Sequence, residues 1–176
     1  ERVYGDRIAV VDEFDQPAPA LSDLTYRQLA QSARALAAGL DGLGLAIGTR
    51  VAMVSHNAAR LLVFLFGTSA YGRVGVPINF RLSKPEIQFI LNHSGAEVLI
   101  IDPELAEQHG AFDVKHQFTA GPESDALFNY DIAPQPWEPS EQATATINYT
   151  SGTTARPKGV EMTHRNLWLH AAVFGW

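Results

Sequence analysis

Four hydroxyl side chains (Thr150, Ser151, Thr153 and Thr154), two glycines (Gly152 and Gly159), Pro157 and Lys158 fall within ten residues near the end of this 176-residue chain. Hydroxyls and free backbone N–H groups donate to phosphate oxygens, and glycine lets the backbone come close to an anion. Lys158 adds a compact positive charge, with Arg156 as a second cation. The chemistry these residues suit is the holding of a polyphosphate. A solvated Ser/Thr/Gly linker is the plainer alternative for such a composition.

Such a loop needs rigid flanks. Ala145 to Tyr149 is apolar and β-branched and predicts a strand, and Val160 to Thr163 predicts a short returning one. A nucleotide-binding P-loop of the form Gly-x-x-x-x-Gly-Lys-[Ser/Thr] is excluded. Counted from Gly152, Lys158 is in place, but Pro157 stands where the second glycine belongs and Gly159 where the metal-binding hydroxyl belongs.

Tyr149-Thr150-Ser151-Gly152-Thr153-Thr154-Ala155-Arg156-Pro157-Lys158-Gly159-Val160, followed by Thr163-His164-Arg165-Asn166-Leu167, closely resembles the signature of the adenylate-forming superfamily. That superfamily includes acyl- and aryl-CoA synthetases, peptide-synthetase adenylation domains and luciferases. One position departs: Ala155 replaces the usual glycine, a change costing about 1–2 kcal/mol if the backbone there needs a positive φ. Looser likenesses occur at Leu24-Thr25-Tyr26-Arg27-Gln28-Leu29, at Gly72-Arg73-Val74-Gly75-Val76-Pro77-Ile78-Asn79 and at Arg81-Leu82.

The resemblance implies an enzyme that joins a carboxylic acid to ATP, releasing pyrophosphate and forming an acyl-adenylate, with CoA as acceptor in the CoA-ligase branch. It assigns Thr150, Ser151, Gly152, Thr153, Thr154 and Lys158 to phosphate contacts, with Lys158 also the candidate catalytic group. ATP, Mg²⁺ and CoA are the implied small molecules, and a fatty or related acid is the implied substrate. Two rival classes are a peptide-synthetase adenylation domain and an inactive fragment that keeps the fold. Family members are longer, so residues 1–176 read as a partial N-terminal domain lacking the C-terminal domain, inactive alone. A cut sheet edge is then expected to self-associate or to be covered by the remainder.

Composition fits this. Hydrophobic residues make up 46% and charged residues 18%, with a net charge of −6, as in globular proteins. Lys and Arg are scattered, so there is no nucleic-acid footprint. The longest apolar run, Leu61 to Phe66, is far short of a spanning helix. There are no cysteines, which fits a reducing compartment such as the cytoplasm. The six histidines lack metal-type spacing.

Along the chain, alternation of strand and helix predicts an α/β fold, a mostly parallel sheet flanked by helices. Expected strands are Ile8–Val11, Val51–Val54, Val74–Pro77, Glu97–Ile101 and Val114–Phe118. Thr25 with Gln28 and Ser83 with Glu86 form capping boxes, and Asn57 is the expected cap of an almost wholly apolar, buried helix over Ala58–Tyr71. Asn79 and Arg81 read as a structural turn, His164 as a cap or brace with ligand contact as the alternative, and Trp168 and Phe174 as core. Residues 111–142 read as an irregular surface crossing.

Overall fold

The computed structural model describes residues 3–150 and 157–174. The strands are β1 (Ile8–Val10), β2 (Leu24–Thr25), β3 (Arg50–Val54), β4 (Val74–Ile78), β5 (Ala96–Ile101), β6 (His116–Thr119), β7 (Thr144–Thr150) and β8 (Lys158–Thr163). The helices are α1 (Tyr26–Gly42), α2 (Ala59–Ser69), α3 (Lys84–Ser94), α4 (Pro103–His109), α5 (Pro122–Asp125) and α6 (His164–Phe174). Six strands make the central sheet in the order β6-β5-β3-β4-β7-β8. All its neighbours run parallel except β7 and β8, which form an antiparallel hairpin. β1 and β2 pair separately. The expected α/β architecture is present.

Side-chain alternation divides the interior into two layers. Val51 and Met53 of β3, with Val98 and Ile100 of β5, point to Leu36 and Leu40 of α1 and Val63 and Phe64 of α2. Ala52, Val54, Leu99 and Ile101 point the other way, to Ile87, Ile90 and Leu91 of α3 and Leu105 of α4. A strand apolar at every position is thus a strand covered on both faces.

The helix starts behave largely as their sequences dictate. Thr25 and Gln28 exchange backbone-to-side-chain bonds, and Leu24 and Leu29 are both buried beside them. Ser83 and Glu86 do the same at α3; the bonds from Ser83 hold the Glu86 carboxyl below its ordinary pKa. Gly95 closes α3 in the left-handed conformation at φ 67°.

α2 departs from expectation. Its N-cap is Ala58, not Asn57, and the missing acceptor comes from a distant residue: Asp12 Oδ1 accepts from Ala59 N at 2.8 Å. The other oxygen, Oδ2, accepts from Leu21 N at 2.8 Å. A tertiary acceptor thus replaces the local one. Nor is α2 buried all round, since Leu62 and Phe66 face outward. Asp12→Ala strands two N–H groups at once and should cost about 1–3 kcal/mol. Urea unfolding measures it, and a midpoint unchanged from the parent would show that the cap is dispensable.

Three elements were missed, the first being the two-residue strand β2 at Leu24–Thr25. Asp102-Pro103 ends β5 as expected but also opens α4, with proline in the first turn where its missing N–H is harmless. Within the expected irregular crossing, Pro122–Asp125 forms the single turn of α5. There Asp125 grips the buried Arg60 of α2 with both carboxylate oxygens, and Arg60 Nε donates to Pro19 O at 2.7 Å.

Candidate functional site

The signature residues flank the tip of the β7–β8 hairpin. Thr150 is the last residue of β7, and Lys158 is the first of β8, its Cα partner across the ladder. Lys158 and Gly159 therefore belong to the strand, two residues earlier than the expected start at Val160. The next rungs inward are Tyr149–Gly159, Asn148–Val160 and Ile147–Glu161. Ser151, Gly152, Thr153, Thr154, Ala155 and Arg156 lie outside the described residues.

Pleat geometry separates two faces of this hairpin. Ile147, Tyr149, Gly159 and Glu161 line a cavity of about 420 Å³ with Arg50, His93 and Trp137. Thr150 and Lys158 alternate with them, so their side chains fall on the opposite face. Both are exposed, and the Lys158 ammonium makes no ion pair among the described residues. A free cation beside a hydroxyl, at the mouth of a hydroxyl-rich connection, suits an anionic ligand.

The hairpin is pinned at its other end. Thr163 N donates to Asn166 Oδ1 at 3.0 Å, and Asn166 N donates back to Thr163 Oγ1 at 3.2 Å. The Thr-His-x-Asn stretch is therefore a reciprocal cap that starts α6. His164 N donates to Ala143 O at 3.1 Å, while Arg165 bonds Glu141 through both backbone and guanidinium. The His164 ring lies 5.2 Å from the Trp137 ring. His164 braces, as expected.

Burial pushes the His164 imidazole below its ordinary pKa. A histidine whose folded pKa is depressed binds fewer protons folded than unfolded, so stability rises with pH in that window. Stability should therefore fall on acidification from the ordinary histidine range towards the depressed folded value, and His164→Gln should flatten that slope. Thermal melts across the window would show it; parallel curves for the two proteins would refute it.

Asn79 and Arg81 also behave as read: Asn79 Oδ1 accepts from Arg81 N at 3.0 Å, a local turn. Trp168 and Phe174 do not. They are 68% and 75% exposed, and no described residue of α6 is buried. Their apolar side chains predicted core, but among the described residues none covers either of them.

Two histidine pairs were not legible in the sequence. His56, just after β3, donates its backbone N to Asp102 Oδ2 at 2.8 Å and brings Nδ1 to 3.1 Å from it, tying together the ends of β3 and β5. His93 on α3 bonds Tyr149 at 2.7 Å. Partners 46 and 56 residues apart leave no periodic signal. Among the described residues no group of three His, Asp or Glu could hold a metal ion.

A mostly parallel sheet flanked by helices is the architecture of the N-terminal domain of adenylate-forming enzymes. The family model described as AMP-binding enzyme matches residues 1–176, and the chain belongs to that family. It is 40% identical over 146 residues to a feruloyl-CoA synthase of an Amycolatopsis species, covering 82% of this chain and 29% of that protein. It is 36% identical over 157 residues to a long-chain-fatty-acid–CoA ligase of Thermus thermophilus, covering 84% and 29%. Among solved structures, the anthranilate CoA ligase AuaEII in complex with anthranoyl-AMP matches with a TM-score of 0.81 and 25% identity, over 98% of this chain and 35% of that one. The chain thus spans about 29% of the length of these curated relatives.

Proposed function

We propose that this chain supplies the pyrophosphate-holding hairpin of an enzyme that activates a carboxylic acid, fatty or related, with ATP. The acid's carboxylate attacks the α-phosphorus, the α–β bond breaks, and pyrophosphate leaves an acyl-adenylate. CoA thiol then displaces AMP to give the acyl-CoA. Thr150, Ser151, Gly152, Thr153, Thr154 and Lys158 hold the β- and γ-phosphates, offsetting charge as it shifts to the leaving group. The observation that carries this reading is the pairing of Thr150 with a Lys158 that makes no ion pair among the described residues, at the end of a rigid ladder, within a chain of the AMP-binding family.

Mg²⁺ enters with the nucleotide's phosphates, the usual mode for this ion. The reaction belongs in the cytoplasm, where ATP and CoA are at hand; no helix among the described residues is long and apolar enough to cross a membrane. The 176 residues alone are expected to turn over little, because the acid pocket and acceptor site must be assembled with them. Alone, they should also self-associate through the exposed apolar surface of a cut edge, to which Trp168, Val173 and Phe174 contribute as exposed side chains. Sedimentation that shows a concentration-independent monomer would count against that association.

The decisive experiment is acid-dependent exchange of pyrophosphate into ATP over a panel of fatty and aromatic acids, using a protein of the relatives' length that carries this sequence. Exchange with one class of acid supports the reading and identifies the substrate. No exchange with any acid overturns it.

A further inference from the structure

Tyr149 stands one rung below the Thr150–Lys158 pair, and three features fix its ring. Its hydroxyl lies 2.7 Å from His93 Nδ1, with the rings edge-on at 5.8 Å. His93 is itself held, stacked 5.4 Å from Phe89 on the same helix. Below the ring is Gly159, where an added Cβ would sit 3.1 Å from Tyr149 Cζ and 3.3 Å from its hydroxyl. That glycine is needed for close approach of the ring, at a backbone conformation any residue could adopt.

The cavity of about 420 Å³ opens beside this ring. Bulk packing therefore does not confine the phenol on that side, and the hydrogen bond to α3 does. Burial also pushes the Tyr149 phenol above its ordinary pKa. Successive rungs of a ladder are about 3.3 Å apart, so a shift of the Tyr149–Gly159 rung carries directly to Thr150 and Lys158.

We infer that His93, Tyr149 and Gly159 form a latch that ties the hairpin to the end of α3 and sets where Thr150 and Lys158 stand. Its catalytic consequence rests on the proposed function; its structural consequence does not. His93 and Tyr149 are positioning residues: neither needs to touch a phosphate. The latch also gives a physical reason for the tyrosine and the last glycine of the signature, which the phosphate chemistry alone leaves without a role.

The test uses Tyr149→Phe, His93→Ala, the double variant and His93→Gln. In this chain, the amide resonances of Thr150, Lys158 and Gly159 should shift alike in the two single variants. The double variant should add nothing further, because both singles break one bond, and His93→Gln, which can still bond the phenol, should return the shifts towards the parent. In a protein of the relatives' length, each single variant should lower kcat for pyrophosphate exchange by about 10- to 100-fold, with a smaller change in KM for ATP. Melting temperature, read alongside, separates this from simple loss of folded protein. Unmoved amides, or additive losses in the double variant, overturn the latch. Shifted amides in a protein whose parent exchanges no pyrophosphate leave the latch standing and remove the proposed function instead.

Discussion

Lys158→Ala, in a protein of the relatives' length, should lose about 10²- to 10³-fold in the rate of pyrophosphate exchange, the usual cost of removing one donor aimed at developing charge. The reason is placement. Lys158 is a strand residue, paired with Thr150 and exposed, so its ammonium is held near the connection while remaining free to meet an anion. If the lysine stabilises charge only as the α–β bond breaks, kcat falls and KM for ATP moves little; if it holds ground-state ATP equally, KM rises instead. Lys158→Arg should recover only part of the loss, since a planar fork does not reproduce a point charge. The fold should be unaffected, because the side chain makes no ion pair among the described residues. Unchanged exchange in Lys158→Ala would remove the lysine from the chemistry.

Arg73→Ala should be the most damaging change to stability, at about 3–5 kcal/mol, as for other buried pairs broken from one side. Arg73 is 0% exposed. Its Nη2 donates to Asp41 Oδ1 and, at 2.6 Å, to Leu45 O, while Nη1 donates to Tyr71 O at 3.2 Å. The other oxygen of Asp41 accepts from Gln135 N at 2.7 Å. One guanidinium thereby joins the end of α1, the loop after it, the turn into β4 and the crossing that leads to β7. Losing it leaves one carboxylate oxygen and two carbonyls without their donor. Replacing both partners by apolar residues, Arg73→Met with Asp41→Leu, should cost less than Arg73→Ala alone. Urea unfolding of the set decides: a single-variant loss below about 1 kcal/mol, well under the range for a broken buried pair, would show that the four segments hold without this tie.

Arg73 also illustrates what a sequence can and cannot disclose. Gly72-Arg73-Val74-Gly75-Val76-Pro77 was legible as a segment, and its strand was legible from the β-branched run. That a charged residue between them would be wholly buried was not, because its acceptors are supplied by residues up to 32 positions away. Asn57 shows the same limit from the other side. Its local chemistry made it a good cap for α2, yet Asp12 took the role because the chain before β2 passes over the start of α2. Trp168 and Phe174 failed as core residues for a related reason: apolarity measures a preference for burial, while burial itself requires a covering element.

The amino-acid sequence by itself determined the alternation of the main strands and helices, the capping boxes at α1 and α3, the strand on either side of the hydroxyl-rich connection, and membership of a family with a recognisable signature. Those properties depend on neighbours within about four residues, or on a motif read in order, so they survive in one dimension. Only the tertiary structure decided the strand order, the distant cap at α2, the Arg73 tie, and the union of His93, Tyr149 and Gly159 beneath the Thr150–Lys158 rung. Each of these joins groups brought together by the packing of helices on two faces of one sheet, and contacts between such groups carry no period along the chain.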